Sequence, residues 1–179
     1  MISTFTKASV AEVLAKELAI KNPMALPTLQ KIVINIGMGS WLQGGKDFAR
    51  IIEGVEKLSG QKPVVRKAKQ SISNFKLRKG MPVGISVTLR GEKMYNFLER
   101  MVKIVAPRIR DFDGFSNKSF DGKGSYSYGL TTYAVFPEIH YSDVVKNYGV
   151  GITIVTSSRN TEGTKALLKT FGFPFKKEL

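Results

Sequence analysis

Two short stretches alternate apolar and polar residues with a period of two, and this constrains the fold more than any other feature of the chain. In GISVTLRG (84–91), Ile85, Val87 and Leu89 point to one side, and Ser86, Thr88 and Arg90 to the other. In QKIVINI (30–36), Ile32, Ile34 and Ile36 share one side, while Lys31, Val33 and Asn35 share the opposite one. Strands of this kind belong in a sheet with one covered face and one face open to water.

Helices supply the cover. Ser9-Val10-Ala11-Glu12 reads as a capping box, and it predicts a helix over 8–20 that stops before Asn22-Pro23. Phe48, Ile51, Ile52, Val55 and Leu58 mark a second helix, ended by Gly60. Met94, Phe97, Leu98, Met101, Val102 and Val105 form the apolar stripe of a third, which must end near Pro107. A closing helix is expected from 161 to 171, with Gly172 as its C′ residue. Further strands are expected at 63–68, 131–136 and 150–156. Residues 111–130, rich in Gly, Ser and Asp, read as a long structured loop. The order predicts a single α+β domain over 1–179. It comprises an antiparallel sheet of ferredoxin-like order, helices on one face, an open polar face suited to RNA, and a long basic hairpin loop at about 69–82.

That loop lies in VVRKAKQSISNFKLRKG (64–80), where Arg66, Lys67, Lys69, Lys76, Arg78 and Lys79 meet no acid. The acid-free interval runs from Lys57 to Gly91, and the net charge over 179 residues is +14. Such a surplus points to a polyanionic partner. Ile72, Phe75 and Leu77 interleave with these cations; Phe75 is placed to stack on a base or sugar while the cations neutralise phosphates. Gly80 and Gly84 read as flexible arms of the loop. The strand faces carry no aromatic residue, which excludes an RRM-type platform for splayed bases and favours grip on the backbone and shape of structured RNA.

The chain has no Cys and one His, which removes thiol chemistry and leaves any His-centred site short of partners. His140 reads as a surface residue in a polar turn. Gly37-Met38-Gly39 follows a strand, but the third glycine comes late, at Gly44, so a turn suits it better than a dinucleotide site. Gly122-Lys123-Gly124-Ser125 lacks the upstream glycine of a P-loop and reads as a turn. Asp111, Asp113 and Asp121 match no Ca²⁺ loop and are expected in local ion pairs; Trp41 is expected to pack or anchor a loop. No catalytic centre, metal site or cofactor is expected. The N-terminus has no secretory h-region, and no apolar run reaches membrane-span length. Two rival readings have clear tests: a membrane-surface protein would sediment with vesicles, and a nucleotide-dependent enzyme would show a saturable NAD or ATP site.

Seven motifs occur in order: Asn35-Ile36-Gly37-Met38-Gly39, Gly60-Gln61-Lys62-Pro63, Ser71-Ile72 with Phe75-Lys76-Leu77-Arg78, Val87-Thr88-Leu89-Arg90-Gly91, Pro107-Arg108-Ile109-Arg110-Asp111-Phe112, Ser119-Phe120-Asp121-Gly122 and Phe136-Pro137-Glu138-Ile139. Together they closely resemble the ribosomal large-subunit protein five family, the 5S rRNA-binding proteins of the central protuberance, in its bacterial form. The resemblance covers about 24–175 and implies a structural, non-enzymatic protein of the cytoplasmic ribosome or of an organelle's. It implies that Asn35, Gln61, Lys62, Thr88 and Arg90 lie on the 5S rRNA side. Lys69, Ser71, Asn74, Phe75, Lys76, Arg78 and Lys79 would form a loop facing P-site tRNA. It further implies 23S rRNA, neighbouring central-protuberance proteins and a small-subunit protein across the bridge as partners, with no membrane and no homo-oligomer. Thr131-Thr132-Tyr133 and Gly151 depart from the expected bacterial pattern.

Overall fold

A computed structural model describes residues 7–20, 22–37, 48–139 and 148–176. The elements run α1 (Lys7–Glu17), β1 (Leu29–Gly37), α2 (Phe48–Ser59), β2 (Val64–Lys67), β3 (Pro82–Leu89) and α3 (Glu92–Arg100). A π turn (Met101–Val105) leads on to the single turn α4 (Ala106–Arg108), followed by β4 (Ser125–Leu130), β5 (Val150–Thr156) and α5 (Thr161–Thr170). The strands form a five-stranded antiparallel sheet in the order β2-β3-β1-β5-β4. The α+β class and the βαββαβ order of the middle elements are as read from the sequence. β5, with Val150, Ile152 and Ile154 buried, stands between β1 and β4, whereas the Ser- and Gly-containing β4 takes an edge.

The described chain divides into two compact units. The first draws on 1–32, 90–128 and 153–179, the second on 33–89 and 129–152. In the second, α2 packs on β3 and buries Ile51, Val55 and Leu58; Ile34, Ile36, Ile85, Val87 and Leu89 are buried with them. Each such side chain contributes about 1.5–3 kcal/mol on full burial. The opposite residues, Asn35 and Thr88, are exposed and Val33 and Ser86 half-exposed, so the expected open polar face is present.

In the first unit α1 packs against α5, and Leu14, Met94, Phe97, Leu98, Met101, Leu167 and Leu168 are buried. The π turn lets the Ala106 N–H reach the Met101 carbonyl one residue before Pro107, which has no N–H to give. α5 ends as expected: Gly172 N–H donates to Lys169 O (2.7 Å) and Phe173 N–H to Leu168 O (3.0 Å), a Schellman pair. The chain then docks on Phe115, whose N–H donates to Pro174 O (2.7 Å) and whose carbonyl accepts from Lys176 N–H (3.0 Å). The Phe115 ring lies 4.4 Å from Phe173 and 4.6 Å from Tyr128.

Three expectations need correction. α1 begins at Lys7, so Ser9 is inside the helix rather than its cap, and it ends at Glu17, short of residue 20, with left-handed Ala19 (φ 51°) just beyond. The strand expected at 131–136 is instead a 3₁₀ turn (Tyr133–Val135), because Thr132 Oγ1 accepts the Ala134 N–H at 3.2 Å. The strand lies earlier, at β4, within the stretch read as loop. Its Ser and Gly content hid an alternation that buries Tyr126 and Leu130. Tyr126 donates its hydroxyl to Ser116 O (3.0 Å), and burial pushes its pKa up to about 12, so it stays protonated.

The turn into β4 is held by Asp121, whose Oδ1 accepts the Lys123 and Ser125 N–H groups, each at 2.8 Å. These bonds, that from Ser125 foremost, hold its carboxyl below the usual aspartate range. A depressed pKa gives stability that is present above the unfolded-state value and lost as pH falls through the folded one. The stability advantage of the parent over Asp121→Asn should therefore shrink below about pH 4, checked by urea midpoints across pH.

Next along the turn, Gly124 (φ +90°) has its carbonyl accepting from Thr156 Oγ1 at 2.7 Å. A Cβ there would overlap the Ser158 carbonyl oxygen, whereas at Gly122 (φ +74°) it would meet nothing within 4 Å. Gly122→Ala should cost only the left-handed backbone penalty, about 1–2 kcal/mol. Gly124→Ala should cost clearly more, read from the same denaturation curves.

Candidate nucleic-acid interface

The five residues expected on the 5S rRNA side all reach the surface or are half-exposed. Asn35 is exposed on β1, Thr88 on β3, and Lys62 just before β2. Arg90 is exposed on the residue after β3. Gln61 and Thr88 are brought together, with Gln61 Nε2 donating to the Thr88 carbonyl at 3.3 Å. A residue the sequence reading passed over holds Gln61 there. The buried Ser59 hydroxyl donates to Val55 O (2.7 Å) and accepts the Gln61 N–H (3.3 Å), tying the end of α2 to the turn that carries Gln61. Only its place at the last turn of a helix hinted at this, since Ser commonly bonds back to the i−4 carbonyl there.

The basic loop is a hairpin within a hairpin. β2 pairs with β3, Val64 opposite Ser86 and Lys67 opposite Pro82, with a register shift between Arg66 and Lys67. Beyond it Ala68 N–H donates to Met81 O (2.7 Å), and Ile72 and Leu77 exchange two backbone bonds of 3.0 Å each. A 3₁₀ turn (Ser73–Phe75) and left-handed Lys76 (φ 52°) close the tip, the Lys76 N–H reaching Ser73 O at 2.9 Å. Lys69, Ser71, Asn74, Phe75, Lys76, Arg78 and Lys79 are all exposed. Phe75 is 70% exposed, enough area for a flat partner to cover. An open notch of about 540 Å³ is lined by Ser71, Ser73, Lys76, Leu77 and Arg78.

One expected feature of the loop differs. Gly84 is not part of a flexible arm: it is buried in β3, and a Cβ there would come within 3.1 Å of Ile36 O. Its smallness serves the close approach of β3 to β1.

Asp113 pairs with Lys176 at 3.3 Å as a local ion pair, while Asp121 braces its turn. Among the described residues, no cluster of His, Cys, Asp and Glu could hold a metal ion. Gly122-Lys123-Gly124-Ser125 is the turn that Asp121 holds. Met38, Gly39, Trp41, Gly44 and His140 lie outside the described residues. No helix among the described residues is long and apolar enough to cross a membrane.

The family model described as "Ribosomal protein L5" matches residues 22–78, and the model of that family's C-terminus matches residues 82–175. The chain belongs to the ribosomal protein L5 family. Its similarity extends to the large ribosomal subunit protein uL5 of Fusobacterium nucleatum, 51% identical over 164 residues (92% of this chain, 90% of the relative). The uL5 of Anaeromyxobacter sp. (strain Fw109-5) is 50% identical over 163 residues (91% of each). That of Symbiobacterium thermophilum is 47% identical over 174 (97% of each). As an L5-family member this is a structural protein of the large ribosomal subunit, from a family that is not one of enzymes. The FPEI motif of the family forms a turn in which Phe136 and Ile139 are buried and the Ile139 N–H donates to Phe136 O at 3.2 Å.

The tip residues of this L5-family protein are solvated, so Phe75→Ala and Lys76→Ala should leave the urea midpoint within about 0.5 kcal/mol of the parent. Ser59→Ala removes a buried hydroxyl that two carbonyls and an amide surround. It should cost about 1–2 kcal/mol on the same measurement.

Proposed function

We propose that the protein binds 5S rRNA through Asn35, Gln61, Lys62, Thr88 and Arg90, and joins it to the central protuberance of the cytoplasmic large subunit. The loop of Lys69, Ser71, Asn74, Phe75, Lys76, Arg78 and Lys79 contacts P-site tRNA. Contacts with 23S rRNA, neighbouring proteins and a small-subunit protein complete its setting. The mechanism is binding without a cofactor. Cations neutralise phosphates; the Asn35 and Gln61 amides and the Thr88 hydroxyl bond to backbone, 2′-hydroxyl or base edge.

The observation that carries this reading is the pairing of an aromatic-free polar strand face with an acid-free basic hairpin ending in an exposed Phe75. The first suits the ribose-phosphate surface of a folded RNA; the second suits an RNA reached at a distance. A salt-titrated gel shift against 5S rRNA, with an equal-length RNA duplex as competitor, tests it. Binding should survive the competitor, and log K should fall against log salt by about 0.7–0.9 per phosphate neutralised. Asn35→Ala and Arg90→Ala should weaken it. Equal loss to any duplex would overturn the 5S assignment.

A further inference from the structure

Between the Ala68 pairing with Met81 and Gly80 and the Ile72–Leu77 pair the loop has a gap in its ladder, which the Ser71 side chain crosses and the Met81 side chain braces from one arm. Lys67 opposite Pro82 and Ile72 opposite Leu77 belong to one register, which sets Gln70 across from Lys79. At that step the Lys79 N–H donates not to the facing backbone but to Ser71 Oγ at 2.9 Å. The preceding amide, Arg78 N–H, donates to Met81 Sδ at 3.2 Å, while the Met81 N–H returns to Arg78 O at 3.1 Å. Two consecutive cationic residues thus have their amides drawn inward by side chains from opposite strands. Arg78 and Lys79 themselves remain exposed.

We infer that Ser71 and Met81 are positioning residues, which fix the directions in which the Arg78 and Lys79 side chains leave the hairpin toward its RNA partner. This rests on the reading of the loop as a tRNA contact. Ser71 is then not chiefly a ligand to RNA, as its place in the loop first implies, because its oxygen is already engaged across the hairpin. Met81, half-buried at the base of the loop, becomes part of the interface without touching the ligand. The physical reason is geometric: a Lys or Arg side chain is long and mobile, and only the backbone from which it departs can pre-set where its charge lies. A regular ladder would leave that backbone flat. The Ser71 bond replaces a missing rung, the Met81 bond braces the turn Arg78–Met81 on its own arm, and together they hold the segment in one bent shape.

The test compares Ser71→Ala, Ser71→Thr, Met81→Leu and Phe75→Ala in the full-length protein. Amide exchange by NMR reads the two locks, and release of deacylated tRNA from large subunits reconstituted with each variant reads presentation. Ser71→Ala should speed exchange at Lys79 about fivefold and Met81→Leu at Arg78 similarly, each losing one hydrogen bond. Ser71→Thr should restore Lys79. Thermal midpoints and 5S rRNA binding should stay at parent values, while tRNA release quickens about threefold. Unchanged exchange in both Ser71→Ala and Met81→Leu overturns the inference, whatever the tRNA does. Faster exchange with tRNA release altered by Phe75→Ala but not by Ser71→Ala or Met81→Leu also overturns it. Release unmoved by every variant, Phe75→Ala included, overturns the tRNA reading itself and leaves the locks without a ligand to serve.

Discussion

The antiparallel ladder between β2 and β3 is the constraint on which the second unit and its basic loop depend. On one side it presents Ile85, Val87 and Leu89 to α2, where burial stabilises the unit. At its far end it carries six cations on a hairpin that no acid accompanies. The two effects differ in size. Two unit charges about 8 Å apart in water repel by roughly 0.5 kcal/mol, and salt screens them further. One buried Ile or Leu outweighs such a pair several-fold. The ladder can therefore hold a charge concentration that would be intolerable if it were buried, provided that the cations remain solvated, as they are here.

The same ladder explains why the loop has a shape at all. Its cross-strand backbone bonds lapse beyond Ala68, which pairs with Met81 and Gly80, and resume at the Ile72–Leu77 pair. A plain tether of this composition would sample many directions, and binding would have to meet the entropy of ordering it. The Ser71 bond spans the interval, the Arg78–Met81 bonds brace the returning arm, and the 3₁₀ turn with left-handed Lys76 closes the tip. Phosphate-neutralising charge and a stackable ring are thereby offered from a defined scaffold. On the sheet face the corresponding device is Ser59, which holds Gln61 against the carbonyl of Thr88.

Where local chemistry decided the outcome, reading from sequence was accurate. β1, β3, α2, α5 and its Gly172 cap lie within a residue or two of expectation, because each is signalled by a period or a cap within its own span. The failures fall where distant partners decided it. SYSYGL has the composition of a loop but becomes β4, since Tyr126 and Leu130 find a core and Tyr126 finds Ser116 O. TTYAVF has strand propensity but turns, since Thr132 offers the backbone a nearer partner. The role of Gly84 was misjudged for the same reason: a glycine before a strand reads as slack until Ile36 O is seen beside it.

By itself the sequence determined which face of each strand would be buried, that the buried and open faces would differ in polarity, and that a surplus of +14 would need an anionic partner. These follow from side-chain alternation and from charge, neither of which depends on the path of the chain. Tertiary structure alone decided that β5 would stand between β1 and β4, that β4 would be a strand at all, and that Ser59, Ser71 and Met81 would hold the backbones of Gln61, Lys79 and Arg78. Those outcomes rest on single hydrogen bonds and close approaches between residues set side by side only after folding, and no periodicity encodes them.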